Sequence, residues 1–148
     1  MNDYTVDSCR IIQLPRHHST DRRGNLSVVE AFRTVPFDVR RVYYIYDVPG
    51  GESRGAHAHR SLHQLIVAVS GSFTVSVTDG VETRSYRLDR PYMGLYLVPG
   101  MWRTLDDFSS GAVCLVLASE AYDEDDYIRD YAGFLDFRQI PDKKALSR

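Results

Sequence analysis

Between residues 73 and 88 the chain alternates apolar and polar side chains, turns once, and returns. Phe73, Val75 and Val77 are interleaved with Thr74, Ser76 and Thr78; Asp79-Gly80 follows, and residues 82–88 come back as a more polar partner. A period of two puts successive side chains on opposite faces of a strand, and Asp-Gly is a strong signal for a tight hairpin. Similar punctuation recurs along the chain. Residues 10–14, 26–32, 39–48, 62–69, 94–98 and 113–118 are further strand-forming runs, broken by a turn at 21–25, by Pro36, by Pro49-Gly50-Gly51 and by Ser70-Gly71. Val42, Tyr43, Tyr44, Ile45 and Tyr46 are all residue types enriched in strands. About eight short antiparallel strands at this spacing make a sandwich, jelly roll or closed barrel. Only the tail changes period. Residues 126–137 bring Tyr127, Tyr131, Phe134 and Leu135 to helical spacing, predicting one short C-terminal helix on an all-β body.

The chain has 148 residues, which suits one domain spanning 1–148 with a real core. A net charge of −2 argues against a general nucleic-acid or membrane surface, yet a phosphate-bearing ligand needs only a few local arginines. Cys9 and Cys114 fit no metal spacing, and Cys114 lies in an apolar run, as a small buried hydrophobe does. Residues 1–9 lack the basic start and apolar stretch of a signal peptide, and no apolar run is long enough to span a bilayer, so a reduced cytoplasm is the expected setting. His17-His18 reads as an exposed loop. Asp123-Glu124-Asp125-Asp126 reads as the start of the final helix, where carboxylates favour the dipole.

Chemistry concentrates at Arg54-Gly55-Ala56-His57-Ala58-His59 and the following Gln64. If the segment is extended, His57 and His59 point to the same side. Gly51, His57, His59, residue 64 and Gly71 match the spacing of the first cupin motif, in which metal-binding members carry Glu where this chain has Gln64. The expected second motif is present at residues 94–104 with its glycines and Pro99, but Thr104 replaces its histidine. A catalytic metal site takes about three protein ligands. Two imidazoles and an amide hold a divalent ion weakly, so no metal and no other cofactor is expected. The histidines are left for acid–base work. The fold class is a cupin or jelly-roll β-barrel with a short C-terminal helix.

Arg41-Val42-Tyr43-Tyr44-Ile45-Tyr46, Arg54 to His59, Gln64-Leu65, Gly71-Ser72, Gly94-Leu95-Tyr96, Trp102, Asp107-Phe108-Ser109 and Leu117-Ala118-Ser119 together resemble the sugar 3,4-ketoisomerases, cupin enzymes acting on dTDP-4-keto-6-deoxyglucose. The resemblance covers roughly residues 22–131. It implies a dTDP-sugar ligand, a homodimer that exchanges N-terminal strands, and a place on a route to 3-amino sugars of surface glycans such as lipopolysaccharide or of natural products. It also implies His57, His59 and Tyr43 as catalytic residues, with Arg54 and Arg41 as diphosphate-facing cations. Arg23-Gly24 resembles the subgroup forming the galacto-configured product. Trp102 is a candidate for stacking on the base, and Gln64 for contact with the ligand. His63 and Arg103 depart from relatives that carry an acidic residue and a histidine there.

Carbonyl chemistry shapes the expected reaction. A C4 ketone acidifies the C3 proton; a base, His57, removes it, and a proton returned to C4 moves the carbonyl to C3. Three other functions stay open at this point. They are a sugar-nucleotide epimerase of related barrel shape, a metal-dependent cupin such as a dioxygenase, and a non-catalytic module that binds the sugar nucleotide.

Overall fold

The computed structural model describes residues 3–18 and 23–141. Along them run β1 (Arg10–Gln13), β2 (Arg16–His18), β3 (Asn25–Ser27), β4 (Arg41–Ile45), β5 (Arg54–His59) and β6 (Gln64–Ser70). β7 (Phe73–Thr78), β8 (Thr83–Leu88), β9 (Met93–Leu97), β10 (Trp102–Asp106), β11 (Val113–Ala118) and β12 (Tyr127–Ile128) follow, and the helix α1 (Tyr131–Phe137) comes last. One sheet has the order β1-β9-β6-β11-β4, and a second has β12-β5-β10-β7-β8. Their inner faces share one core, from Ile66, Leu95 and Val116 on the first to Phe73, Val75, Val77 and Leu105 on the second. This double-sheet, cupin-type jelly roll is the architecture the strand pattern predicts.

The alternation of 73–78 is realised as stated: Phe73, Val75 and Val77 are buried and the residues between them are half-exposed. Asp79 also ties the hairpin to the N-terminus. Its carboxylate accepts from Val81 and Glu82 N–H at 2.9 Å and from Val6 N–H at 3.0 Å. β6 lies between β9 and β11 and is covered on both faces, since its first five residues, which alternate between the faces, are all buried; that is why it reads as a continuous apolar run. Cys114 is fully buried, and no helix among the described residues is long and apolar enough to cross a membrane.

Several expectations need correction. The run 26–32 is strand only at its start, within Asn25–Ser27, because the Glu30 carbonyl accepts from Arg33 and Thr34 N–H and turns the chain, with Phe32 at φ 60° and Ala31 left in an isolated bridge with Val35. His17-His18 is not loop; it belongs to β2, which pairs with β3 in a separate two-stranded sheet. Residues 21 and 22 of the expected turn lie outside the described residues. β10 is a strand that the sequence pattern does not show: its Arg and Asp mask an alternation in which Arg103 and Leu105 are buried. The helix expected over 126–137 is confined to Tyr131–Phe137, where Asp130 caps it by accepting from Gly133 N–H at 2.8 Å. Tyr127 and Ile128 instead pair with His59 and Ala58 at the edge of β5. Asp123 caps a short 3-10 turn, Glu124–Asp126, rather than the helix.

Candidate active site

β5 buries both its faces toward the end of the strand. Ala58 packs under α1 with Ile128, Phe134 and Leu135, while His57 and His59 face the barrel interior. Their Nε2 atoms lie 3.1 Å apart and the rings are perpendicular, with centroids 4.8 Å apart. Behind them His59 Nδ1 is 3.0 Å from Asp126 Oδ2, and Asp126 Oδ1 accepts from Ser61 N–H at 2.8 Å and the Ser61 hydroxyl at 2.7 Å. The Tyr127 ring closes one side, 4.3 Å from His59 and 5.1 Å from His57 by centroids.

Across the interior, the Gln64 amide donates to the Tyr43 hydroxyl at 3.0 Å and its carbonyl accepts from Arg103 Nη1. Arg103 is 2% exposed and sits opposite His57 in the β5–β10 ladder. Its Nε and Nη2 donate to the Met101 carbonyl at 3.3 and 3.2 Å, and among the described residues it forms no ion pair. A buried cation without a carboxylate acts on every titratable neighbour. Burial, with Arg103 adding to it, pushes both imidazoles down from near 6.5 to about 2. Burial pushes the Tyr43 hydroxyl up. Both rings and the phenol are therefore neutral at physiological pH.

This has a consequence for stability. Below pH 6.5 the unfolded chain takes up protons at His57 and His59 that the fold refuses, so stability falls as pH falls from about 6.5 toward 2 and is fully present above 6.5. One pKa unit is about 1.4 kcal/mol per ring, and His57, half-exposed, contributes the smaller share. Urea titrations at pH 7.5 and 5.0 are expected to differ by about 2–3 kcal/mol, and by less in His57→Asn. Equal midpoints at the two pH values would contradict the burial of neutral rings.

Tyr43, Arg41, Arg54 and His57 open together onto a cavity of about 470 Å³, joined by Tyr122, Tyr127 and Arg129. Arg41 stacks over Tyr43 and Tyr122 at 5.3 and 5.5 Å, and its buried Nε has no partner among the described residues. Arg129 stacks over Tyr127 at 4.3 Å and pairs with Glu124 at 2.6 Å. A larger cavity of about 640 Å³, between Tyr4, Arg60 and the end of α1, carries neither imidazole.

Other expected site residues fall elsewhere. His59 is fully buried and lies behind His57 rather than on the cavity wall. Gln64, 1% exposed, holds Tyr43 and Arg103 instead of lining the cavity. Trp102 lies outside the cavity and packs on Tyr131 and Phe134, because its side of β10 faces α1. Arg23 and Gly24 precede β3, also outside this cavity. His63 hydrogen-bonds the Tyr96 hydroxyl at 2.7 Å, away from the histidine pair. The helical spacing of residues 126–137 hides Asp126, Tyr127 and Arg129 as site residues in the sequence. The one signal that could have found them is the strand-forming pair Tyr127-Ile128 directly after an Asp-rich turn.

A family profile described as "FdtA: WxcM-like, C-terminal" matches residues 7–139. The chain is 47% identical over 114 residues to a TDP-4-oxo-6-deoxy-alpha-D-glucose-3,4-oxoisomerase from Aneurinibacillus thermoaerophilus, covering 77% of this chain and 82% of that one. Among solved structures, a 3,4-ketoisomerase from Helicobacter canadensis superposes with a TM-score of 0.84 at 40% identity, over 88% of this chain and 97% of that one. A histidine-to-asparagine mutant of the Thermoanaerobacterium thermosaccharolyticum 3,4-ketoisomerase QdtA, in complex with TDP-4-keto-6-deoxyglucose, gives 0.84 at 37% identity over 88% and 94%. An imidazole pair beside an arginine-lined cavity, on a barrel matched over nearly its whole length, leads to one conclusion: the chain belongs to the FdtA, WxcM-like family of 3,4-ketoisomerases.

Proposed function

We propose that this protein, as one cupin domain over residues 1–148, converts dTDP-4-keto-6-deoxy-D-glucose to the 3-keto isomer by metal-independent proton transfer. The observation that carries the reading is a neutral His57 facing a cavity that also presents Tyr43, Arg41 and Arg54. His57 takes the C3 proton, and the electron pair passes into C3=C4 as the C4 carbonyl oxygen becomes an enediolate oxygen. The C3 hydroxyl proton moves to that oxygen, with Tyr43 as the donor at hand. The C3 carbonyl then forms as His57 returns its proton to C4. A preorganised phenol beside developing oxyanion charge is the kind of group that lowers such a barrier. A diphosphate held by Arg41 and Arg54 opposes the positive charge around His57 and raises its basicity when substrate is bound.

The donor set also bears on metal. Gln64 and Thr104 stand where a cupin would supply ligands, the Gln64 amide is engaged by Tyr43 and Arg103, and a buried guanidinium repels a cation. Among the described residues no three His, Cys, Asp or Glu side chains are grouped to hold an ion.

Incubation with dTDP-4-keto-6-deoxyglucose in chelator, followed by carbon NMR, tests the reading. The carbonyl resonance should move from C4 to C3. Inversion at C3 or C5 with the ketone still at C4 would mark an epimerase instead, and saturable binding without change a binding module. The C4 configuration of the product tests the galacto assignment, which rests on Arg23-Gly24. Arg54→Ala should raise KM roughly 10- to 100-fold with kcat within about threefold, the effect of losing a charge-assisted contact remote from the reacting carbons. An unchanged KM would remove Arg54 from the diphosphate site.

A homodimer exchanging N-terminal strands is part of this proposal. Among the described residues β2 and β3 pair only with each other, and Leu26, Val42, Tyr44 and Tyr46 are exposed. Light scattering should give twice the 16.9 kDa chain mass.

A further inference from the structure

The hydrogen bonds behind His57 run in one direction, and that direction decides which nitrogen of each ring carries its hydrogen. The Ser61 backbone N–H has only a hydrogen to give, and it donates to Asp126 Oδ1 at 2.8 Å; the Ser61 hydroxyl meets the same oxygen at 2.7 Å. Oδ2 is left for His59 Nδ1 at 3.0 Å. A carboxylate only accepts, so His59 Nδ1 holds the hydrogen and His59 Nε2 the lone pair. That lone pair lies 3.1 Å from His57 Nε2. Two lone pairs at this distance repel, so His57 Nε2 holds the hydrogen and donates it. A neutral imidazole has one hydrogen for its two nitrogens, which leaves His57 Nδ1 as a lone pair on a ring that lines the cavity. Among the described residues no hydrogen bond engages His57 Nδ1.

We propose that Asp126 is a positioning residue that, acting through His59, holds His57 in the Nε2–H tautomer and so makes His57 Nδ1 the atom that removes the C3 proton. The catalytic half of this inference rests on the ketoisomerase reading. When Nδ1 takes the C3 proton, His57 becomes an imidazolium with its positive charge one ring away from the Asp126 carboxylate. The Nδ1 hydrogen then goes to C4, and the ring returns to its starting tautomer. Nothing further is consumed.

Asp126→Asn is the discriminating variant because it keeps shape and reverses direction. Ser61 N–H requires an acceptor, so it claims the carboxamide oxygen, and the amide NH₂ turns to His59 Nδ1. That nitrogen must then accept, His59 Nε2 must donate, and His57 Nδ1 becomes the protonated nitrogen. Imidazole ¹⁵N spectra of the wild-type protein should show His57 protonated at Nε2 and His59 at Nδ1, and in Asp126→Asn both should swap. Isomerase kcat should fall roughly 10²- to 10³-fold. That is less than the roughly 10⁴-fold seen when the carboxylate orienting a catalytic histidine in a Ser-His-Asp triad becomes an amide, because here it acts from one ring further away. KM should stay close to wild type, as expected when only a transition-state role is lost.

A wild-type His57 protonated at Nδ1 overturns the inference without any variant. So do unchanged tautomers in a folded Asp126→Asn protein, even if activity is lost, since that loss would then be structural. The spectra are recorded without substrate. Failure of wild-type protein to turn over dTDP-4-keto-6-deoxyglucose, with the tautomers as stated, overturns the functional reading and leaves the hydrogen-bond direction standing.

Discussion

His57→Asn is expected to lower kcat by about 10³- to 10⁴-fold while leaving dTDP affinity within about threefold. Asparagine has nearly the reach of an imidazole but no nitrogen that accepts a proton at neutral pH, so it removes the proposed base and little else. On the proposed reading the diphosphate is held elsewhere, by Arg41 and Arg54 on the cavity wall, which the substitution does not touch. The loss should therefore fall on kcat and kcat/KM together, the signature of an interaction made only in the transition state. Exchange of the C3 hydrogen with solvent, followed by proton NMR in D₂O, reports the first step alone and should vanish as well. If exchange survives in the variant, the base is another residue, and Tyr43 becomes the next group to test.

The second large effect is on folding. Gly71→Ala should cost about 2–5 kcal/mol, from two independent sources. Gly71 has φ 64°, in the left-handed region, where a β-carbon costs about 1–2 kcal/mol. That β-carbon would also lie 2.5 Å from Ser109 Oγ and 2.8 Å from Ala112 Cα. Ser109 Oγ accepts from Ser72 N–H at 2.9 Å, so turning it aside breaks the bond that ties the β6–β7 turn to the loop before β11. Ala112 Cα is backbone and has no rotamer to change. Such overpacking adds about 1–3 kcal/mol. Gly111→Ala is the control: φ is 73° there, but among the described residues nothing lies within 4 Å of the new atom, so only the conformational cost of about 1–2 kcal/mol remains. Equal urea midpoints for the two variants would show that the contact at Gly71 is relieved without cost.

Gly71 also shows how a spacing becomes physics. In the sequence it marks the end of a strand and a motif position; in the fold it is where the β6–β7 turn passes against the loop before β11. The hairpin of residues 73–88 was legible because period-two alternation and Asp79-Gly80 act within one stretch of chain. β10 was not, because its alternating face is carried by Arg103 as well as Leu105, and a buried arginine looks like a surface one until its surroundings are known. The C-terminal region failed for a related reason. Tyr127 and Ile128 sit at helical spacing from Tyr131 and Phe134, but the open edge of β5 offers backbone partners that a local pattern cannot register.

Taken alone, the order of residues determined the all-β body and the placing of His57 and His59 on one side of a strand, since each depends on near neighbours in the chain; Tyr43, Arg41 and Arg54 came only through the resemblance to a family. The tertiary structure decided which of those groups meet the cavity. It set His59 behind His57, Gln64 behind Tyr43 and Trp102 under α1, and it brought Asp126 from 67 residues away to the inner imidazole. It also decided the charge state of the pair, because desolvation and a buried guanidinium are properties of a packed interior and of no single stretch of sequence.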